Sequence, residues 1–276
     1  MKITLHGVRG STPAPGAEFT GVGGHTSCVS VTTTGTTAPA LVLDAGTGLT
    51  HLSPWLHGAA FRGEIVLSHL HWDHVQGLPF FRAGDTEASD VVMRMPAQDG
   101  ATPGSPGGAA GLLRRAMSPP HFPIGPEGLR GTWRFEATEA GWIEAGGAKV
   151  LFVDVPHKGG RTFGIRVEAD GASFAYLPDH DPSSNPDPGT ALAHGVNVLF
   201  HDAQFDDDER AVAKAYGHST VSDAVALATR ADVGQLVLIH HAPGRTDNAV
   251  HELAAQYAAG AAVPVTVGCE GDDFDL

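Results

Sequence analysis

Short runs rich in β-branched residues recur along the whole chain, and several of them end in a histidine or an aspartate. Such runs are typical of β-strands, and eleven are present: KITLHGV, CVSVTT, ALVLDAG, EIVLSH, DVVMRM, KVLFVDVP, FGIRVEA, SFAYLPD, VNVLFHDA, LVLIHHA and VPVTVG. Helix-like segments separate several of them. In STVSDAVALATRA, Ser219 to Ala231, a serine start and the spacing of Val221, Val225 and Leu227 predict a capped amphipathic helix. The chain is therefore predicted to be of the α/β class.

The length of 276 residues suits one large core, and a single domain is predicted for residues 1–276, with two fused halves as the alternative. The segment 97–131 departs from the strand rhythm because it is dense in glycine and proline, with one short helical piece near Leu112 to Met117. Loops of this length inside a compact domain are usually functional or disordered. We interpret the segment as a long loop, either a lid or an insertion.

The chain is acidic, since 17 Lys and Arg oppose 31 Asp and Glu for a formal net charge of -14. No run of basic residues offers a nucleic-acid surface, so long RNA or DNA is disfavoured as a partner. A small phosphate ester remains compatible with this charge, because bound divalent ions can reverse the local potential. Net charge therefore limits the partners of the protein but not its chemistry.

The start of the sequence, MKITLHGVRG, lacks the apolar stretch of a secretory signal, and no apolar run reaches 18 residues. These features predict a cytoplasmic protein without a membrane partner. Cys28 and Cys269 are too few for a disulfide framework, so packing roles are expected, with one bridge between them as the alternative. A homodimer is expected only because dimers are frequent among soluble oligomers.

The stretch SHLHWDH places three histidines and an aspartate within six positions. If EIVLSH is a strand, His69 ends it and His71 points the same way, while Asp73 and His74 begin the next turn of chain. Four ligand atoms could then converge on one point. Imidazole and carboxylate ligands suit zinc, manganese or iron, and the absence of a nearby cysteine argues against a closed structural zinc site. The pattern predicts an open, catalytic metal site.

The same arrangement repeats later in the chain, where apolar runs end at His157 in LFVDVPH, Asp179 in SFAYLPD and His240 in LVLIHH. Any one of these residues alone is more often structural. Several strands that end alike fit a site built at the carboxyl ends of strands. The seven ligand-type residues suffice for two metal ions that share Asp179.

These residues resemble a known family. The motifs SHLHWDH, PHKGG, YLPD and LIHHAP, in that order, are similar to the metal motifs of metallo-β-lactamase fold hydrolases, and LVLDAGTG at Asp44 resembles the family's strand-end aspartate, which supports the metal histidines without being a ligand. Two further motifs, LFHDAQF and YGHST, resemble those of the branch that contains ribonuclease Z and the cyclic-phosphate phosphodiesterases. The chain departs from the family pattern at His180, where threonine is common, and at Asp202, where glutamate is common.

The resemblance implies a four-layer αββα sandwich and two divalent metal ions, with zinc preferred over manganese or iron. It implies that His69, His71 and His157 hold one ion, that Asp73, His74 and His240 hold the other, and that Asp179 bridges them. The nucleophile would be a metal-bridging hydroxide. The implied catalytic residues are Asp73, His218 and Asp202, of which His218, oriented by Asp202, would donate a proton to the leaving alkoxide.

Four histidines keep open roles. Either His240 or His241 could be the ligand in LIHHAP; His240 is preferred because it follows the apolar run directly and His241 would face the other side of an extended strand. His180 is unassigned. His25 lies in a glycine-rich turn that could cradle a phosphate, with a plain turn as the alternative. His121 and Phe122, in SPPHFP, could lie over the site.

The main hypothesis is a dinuclear metal phosphodiesterase that acts on a small or cyclic phosphodiester. Ribonuclease Z activity itself is disfavoured, because no basic arm for tRNA is evident and the net charge is unfavourable. Two alternatives remain: a metal-dependent acyl hydrolase acting on a lactone or thioester, and a sensor or interaction protein with an idle metal site. Fold alone does not decide between them.

Overall fold

Two seven-stranded sheets form the centre of the computed structural model, which describes residues 1–98 and 108–276. The strands are β1 (Lys2–Gly7), β2 (Cys28–Thr32), β3 (Leu41–Leu43), β4 (Arg62–Val66), β5 (Asp90–Pro96), β6 (Thr132–Thr138), β7 (Gly141–Ala145), β8 (Ala148–Asp154), β9 (Phe163–Ala169), β10 (Ala172–Leu177), β11 (Val198–Asp202), β12 (Leu236–Ile239), β13 (Val265–Val267) and β14 (Asp273–Asp275). The first sheet has the order β14-β1-β2-β3-β4-β5-β6, and the second has the order β13-β12-β11-β10-β9-β8-β7.

Helices cover the outer faces of both sheets. The helices of the chain are α1 (Leu49–Trp55), α2 (Trp72–Val75), α3 (Gly108–Arg114), α4 (Asp187–Ala193), α5 (Arg210–Tyr216), α6 (Val221–Arg230) and α7 (Asp247–Ala258), of which α1, α3, α4, α6 and α7 pack on the sheets. The helix predicted from Ser219 is present as α6, but its N-cap is Thr220. Thr220 and Asp223 form a reciprocal capping box, which satisfies two backbone N–H groups at the helix start. Ser219 instead donates its hydroxyl hydrogen to the carbonyl of His180, at 2.6 Å.

Three separate apolar cores divide the fold into four layers. One core lies between the two sheets and takes side chains from both. A second lies between the first sheet and the helices α1 and α3, and a third lies between the second sheet and the helices α4, α6 and α7. Each fully buried Leu, Val or Phe side chain contributes about 1.5–3 kcal/mol to the stability of such cores. The predicted αββα sandwich is confirmed.

All eleven predicted strands are present, and the described residues contain three further strands that were not predicted. In β6, the alternation of Trp133, Phe135 and Ala137 with polar residues is a two-residue period that could have revealed it, and these three side chains pack on the second core. Strand β14 has only three residues and forms because it pairs with β1, which lies at the opposite end of the sequence. No local pattern predicts such a strand.

Part of the glycine- and proline-rich segment packs into the fold. Residues 99–107 of the predicted lid lie outside the described residues. The helix predicted near Leu112 to Met117 begins and ends earlier, as α3, and buries Leu112 and Leu113 against the second core. Met117 and Leu129 join the same core. The described part of 108–131 is therefore anchored by apolar contacts, whereas the role of the segment as a lid remains a prediction.

Parallel strands bring the ligand-type residues to one edge. Strands β3 and β4 are parallel neighbours in the first sheet, and β10, β11 and β12 are parallel neighbours in the second. Asp44, Asp179 and His240 follow the carboxyl ends of β3, β10 and β12, and Asp202 ends β11. Within the described residues, no helix has the length and apolar character needed to cross a bilayer, and Cys28 and Cys269 are both free thiols.

Candidate metal centre

Two groups of ligand-type side chains lie next to each other at this edge. The first consists of His69, His71, His157 and Asp179, and the second of Asp73, His74 and His240; within each group the ligand atoms lie within 4.8 Å of one another. These are the seven residues singled out from the sequence as metal ligands. The structure thus brings together side chains from four separate parts of the chain.

Asp179 stands between the two groups. Its Oδ2 atom lies 3.4 Å from His69 Nε2 and 3.2 Å from His157 Nε2. Its Oδ1 atom lies 3.2 Å from His74 Nε2 and 3.0 Å from His240 Nε2. One carboxylate oxygen therefore faces each histidine pair, which is the arrangement expected of a carboxylate shared by two ions.

A change of backbone conformation within the SHLHWDH motif divides its ligand-type residues between the two groups. His71 is extended, with φ -64° and ψ 153°, and is the N-cap of the short helix α2. The helical turn then buries Asp73 and His74 and leaves Trp72 at the surface, 72% exposed. The extended part supplies His69 and His71 to the first group, and the helical turn supplies Asp73 and His74 to the second.

Hydrogen bonds with residues outside the two groups orient the imidazoles of the ligand-type histidines. Asp44 Oδ2 lies 2.8 Å from His74 Nδ1 and accepts the hydroxyl hydrogen of Tyr176 at 3.0 Å. Asp44 Oδ1 accepts the backbone N–H of Ser68 at 2.7 Å. His157 Nδ1 donates to the carbonyl of Gly217 at 2.6 Å, which leaves its Nε2 lone pair directed at Asp179. Such contacts fix the tautomer and raise the basicity of metal-ligating histidines.

Replacing Asp44 with asparagine should weaken metal binding. The amide removes the negative charge behind His74, and an outer partner of this kind is typically worth about 10- to 100-fold in metal affinity. Asparagine tolerates the left-handed backbone of this position, φ 61°, so the chain should still fold. Competition titration with a chelator measures the affinity, and Tyr176→Phe, which removes one hydrogen bond to Asp44 but no charge, is the control. Unchanged affinity in Asp44→Asn would contradict this role.

The donor set fits divalent transition-metal ions. His69 Nε2 and His74 Nε2 are buried and have no hydrogen-bond partner among the described residues, although carboxylate oxygens lie nearby. A buried polar atom without a partner costs free energy. An ion bound to these nitrogens would remove that cost, and neutral imidazoles with carboxylates are ligands that zinc, manganese and iron accept.

The charges of neighbouring side chains shift the pKa values of the residues in the site. Burial disfavours the charged form of Asp179, but the surrounding histidines, first among them His240 and His74, hold its pKa well below the usual range. Burial likewise acts to lower the pKa of His240, but the charge of Asp179 and hydrogen bonds to Asp179 and Asp73 raise it to about 10. The carboxylates therefore stay ionised and attract any positive charge at this position, whether a proton or a metal ion.

His218 and Asp202 form a pair beside the ligand-type residues. His218 Nδ1 lies 2.9 Å from Asp202 Oδ2, and the His218 ring stacks on that of His240 with centroids 5.2 Å apart. His218, Asp179 and His240 each offer an atom within 4.8 Å of the others. Backbone N–H groups of His180, Ser219 and Gln204 donate to the Asp202 carboxylate. Asp202 is thus held rigidly and can orient the His218 ring.

His180 belongs to this supporting network and not to either ligand group. His201 Nδ1 donates to the carbonyl of Asp202 at 2.8 Å, so its Nε2 must accept, and His180 Nδ1 donates to it at 3.1 Å. Burial is the main cause that lowers the pKa of both imidazoles, which agrees with two neutral rings. The position that departs from the family pattern therefore packs behind Asp202.

His240 and His241 have different surroundings. His240 Nε2 faces Asp73 and Asp179, whereas His241 Nε2 donates to the carbonyl of Gly268 at 3.1 Å. Gly10 leaves room for the His240 ring, because a Cβ atom there would lie 2.5 Å from it. The geometry agrees with the preference for His240 as a ligand.

Alanine at these two positions should have opposite effects on metal content. His240→Ala should lose metal, whereas His241→Ala should keep it and instead lose stability, since it deletes a buried ring and leaves the Gly268 carbonyl without its donor. Mass-spectrometric metal analysis and thermal melts of the two variants measure this difference. Metal loss in His241→Ala with retention in His240→Ala would reverse the assignment.

Several contacts at the site were missed by sequence reasoning. The backbone N–H of Ser11 donates to Asp73 Oδ2 at 2.7 Å, and Gln204 Nε2 donates to the Ser11 hydroxyl at 3.0 Å. The glycine-rich GVRGST turn was the available signal for this close approach. His121 is exposed and lies in neither ligand group, whereas Phe122 lines an apolar cavity near Trp72.

The fold and the site together define a class: an αββα sandwich whose paired histidine and aspartate groups lie where the strands of both sheets end. The chain belongs to the β-lactamase superfamily, because residues 40–241 match the family described as "Beta-lactamase superfamily domain". That range contains all seven ligand-type residues together with Asp202 and His218. The resemblance inferred from the motifs is confirmed.

Ribonucleases are among the similar proteins. The chain is 44% identical over 85 residues to ribonuclease Z of Halalkalibacterium halodurans, covering 28% of this chain and 26% of that protein. It is 29% identical over 226 residues to ribonuclease Z of Mycobacterium bovis, covering 75% of this chain and 77% of that protein. For three of the ribonuclease Z relatives, the match spans less than a third of the relative's length.

A solved structure supports the fold independently. The crystal structure described as a new diphosphatase from the PhnP family superposes with a TM-score of 0.73 at 18% identity, covering 100% of this chain and 97% of that one. At this identity, the similarity establishes the architecture alone. The shared architecture agrees with the layer order derived above.

Proposed function

We propose that the protein is a dinuclear metal-dependent phosphodiesterase that acts on a small or cyclic phosphodiester. The observation that carries the proposal is the His218–Asp202 pair placed beside two ligand groups that share Asp179. His69, His71 and His157 would hold one divalent ion, Asp73, His74 and His240 the other, and Asp179 both. When bound, such ions lower the pKa of water to near neutrality, polarise a phosphoryl oxygen and stabilise negative charge on the attacking and leaving oxygens.

The chain's own residues supply the proton chemistry. His218 Nδ1 pairs with Asp202, which fixes the ring and leaves Nε2 to carry a proton. The neighbouring carboxylates favour the protonated imidazole: burial, the largest single influence, acts to lower the pKa of His218, but the charge of Asp202, its hydrogen bond to His218 and the charge of Asp179 together raise the pKa. A protonated His218 beside the reacting phosphate can give its proton to the leaving alkoxide.

The surroundings of the site favour a small substrate. A cavity of about 390 Å³ reaches His69 and His71 and is lined also by Arg115. It adjoins an apolar cavity of about 250 Å³, and Trp72 and Leu112 line both cavities. The larger of these volumes is in the range of small-molecule sites. The net charge of -14 disfavours a long polyanion. A phosphodiester with one apolar or aromatic substituent matches this combination.

Removal of the Trp72 ring should weaken substrate binding more than turnover. Trp72 adjoins both cavities and is 72% exposed, so it can stack on an aromatic substituent. Stacking of a base on an aromatic side chain is worth about 1–3 kcal/mol. Trp72→Ala is therefore expected to raise KM for an aryl or nucleotide diester by about 10-fold or more, with a much smaller change in kcat.

The matched control for this variant is Trp142→Ala, which removes an exposed tryptophan in β7, outside both cavities. Its KM should equal that of the unmodified protein. Equal KM values for the two variants would mean that the substrate does not use the Trp72 surface.

A substrate panel tests the function itself. The metal-loaded protein should hydrolyse bis(p-nitrophenyl) phosphate or cyclic nucleotides, and a chelator should abolish this turnover until divalent ions are restored. Precursor tRNA, a lactone and a thioester belong in the same panel. Faster turnover of the acyl substrates would identify an acyl hydrolase, faster turnover of tRNA would overturn the small-substrate assignment, and silence with two ions bound would favour an idle site.

A further inference from the structure

A third group of ligand-type side chains lies apart from the two groups described above. It consists of His25 in the loop before β2, His51 in α1 and Glu270 in the turn before β14, and their ligand atoms lie within 4.8 Å of one another. Glu270 Oε2 lies 3.2 Å from His25 Nδ1 and 4.0 Å from His51 Nδ1. The two imidazole rings meet edge to face, with centroids 4.0 Å apart. The group shares no residue with the first two.

The Glu270 carboxylate is held in place by its surroundings. The backbone N–H of His25 donates to Glu270 Oε1, and the backbone N–H of Glu270 donates to the carbonyl of Val22 at 2.8 Å. Gly23, with φ +111°, has the Glu270 side chain against it, since a Cβ atom would lie 2.3 Å from that side chain. The second oxygen, Oε2, is thereby directed at both imidazoles. The Glu270 side chain is only 15% exposed.

We propose that His25, His51 and Glu270 bind one divalent transition-metal ion, separate from the two ions of the proposed active site. Ligand bonds of about 2.0–2.2 Å to a tetrahedral zinc ion place donor atoms about 3.3 Å apart, which the observed separations reach with small side-chain shifts. Two imidazoles and one carboxylate select zinc, manganese, iron or cobalt over calcium and magnesium, which prefer oxygen ligands. The partial exposure of both histidines leaves positions for water.

An ion at this site would link three segments that are distant in sequence: the loop before β2, helix α1 and the turn before β14. The carbonyl of His25 accepts the backbone N–H groups of Val8 and Arg9, and Ser11, two residues further along the chain, donates its backbone N–H to Asp73. Glu270 belongs to the segment that leads into the edge strand β14. An ion bound only by the folded chain stabilises it by mass action. Its role is therefore to secure the edge of the first sheet and the loop beside Asp73.

Anomalous diffraction on the full chain tests the proposal. Crystals grown with three equivalents of Zn²⁺ should show an anomalous peak within bonding distance of His25, His51 and Glu270. In Glu270→Gln this peak should disappear and metal content should fall by one ion per chain, while the peaks at the other two groups and phosphodiester turnover persist. His51→Gln should behave in the same way, and the exposed residues of α7 provide the matched controls Glu252→Gln and His251→Gln, which should change nothing.

The position of the peak makes this test independent of the proposed function. Should the two main groups fail to bind metal, the third peak is still expected. Absence of the peak in the unmodified protein, or an equally strong peak in Glu270→Gln, would overturn the proposal and leave a histidine–glutamate ion pair. Melting curves with and without Zn²⁺ guard against misfolded variants: zinc should raise the melting temperature of the controls further than that of Glu270→Gln.

Discussion

Replacing His218 with alanine is expected to lower kcat on a cyclic nucleotide by about 10²- to 10⁴-fold, the usual contribution of a general acid. The reason is that an alkoxide leaves poorly unless it receives a proton, and His218 beside Asp202 is placed to give it. Metal content should stay near two ions in the main groups, because His218 is not among their seven ligands. Steady-state kinetics with mass-spectrometric metal analysis measures both quantities.

The choice of substrate sharpens this prediction. The p-nitrophenolate ion is stable without a proton at neutral pH, so His218→Ala should lose far less activity on bis(p-nitrophenyl) phosphate than on a diester with an alkoxide leaving group. His194→Ala, which removes an exposed histidine, should leave both substrates unaffected. Equal losses on both substrates would argue that His218 only binds the phosphate. A loss of metal in the variant would assign it to the ligands.

Asp179→Asn should remove most of the bound metal and reduce turnover by about 10²-fold or more, since even outer partners of metal ligands are worth 10- to 100-fold. Each oxygen of Asp179 faces a different histidine pair, at 3.0–3.4 Å. An amide has no charge and presents one oxygen, so at least one ion loses a ligand. Metal content per chain should fall from about two ions to below one, measured by plasma mass spectrometry after dialysis against buffer.

The neighbouring Asp181 offers a control in the same loop. It is buried and accepts hydrogen bonds from Ser183 and Ser184, but it belongs to none of the ligand groups. Asp181→Asn should keep both ions and most of the turnover. If Asp179→Asn retained two ions with unchanged affinity, the assignment of Asp179 as the shared ligand would be wrong.

The strands and the ligand types could be predicted because their signals are local. A run of apolar residues such as LVLI predicts a buried strand. A strand that is followed closely by a ligand-type residue, such as His69 or Asp179, indicates where a site can form. The missed strand β6 carried a similar signal in its alternation of Trp133 and Phe135 with polar residues. Strand β14 carried none, because three residues have no period of their own.

The hydrogen-bond partners of the ligand-type residues could be identified only from the tertiary structure. Tyr176 bonds to Asp44 across 132 positions of sequence, and Gly217 bonds to His157 across 60. Neither tyrosine nor a glycine carbonyl has a sequence signature for such a role. His25 contacts Glu270 across 245 positions of sequence. From the sequence, the turn that contains His25 could be interpreted only as a phosphate cradle or a plain turn, because its carboxylate partner lies so far along the chain.

The sequence by itself determined the α/β class, the eleven main strands and the identity of the seven ligand-type residues, because propensity, periodicity and donor chemistry act over a few neighbouring residues. The tertiary structure decided which oxygen of Asp179 faces which histidines, that His240 and not His241 faces Asp73 and Asp179, and that His180 packs behind Asp202. These outcomes depend on the packing of two sheets on one core, which brings the ends of distant strands within a few ångströms.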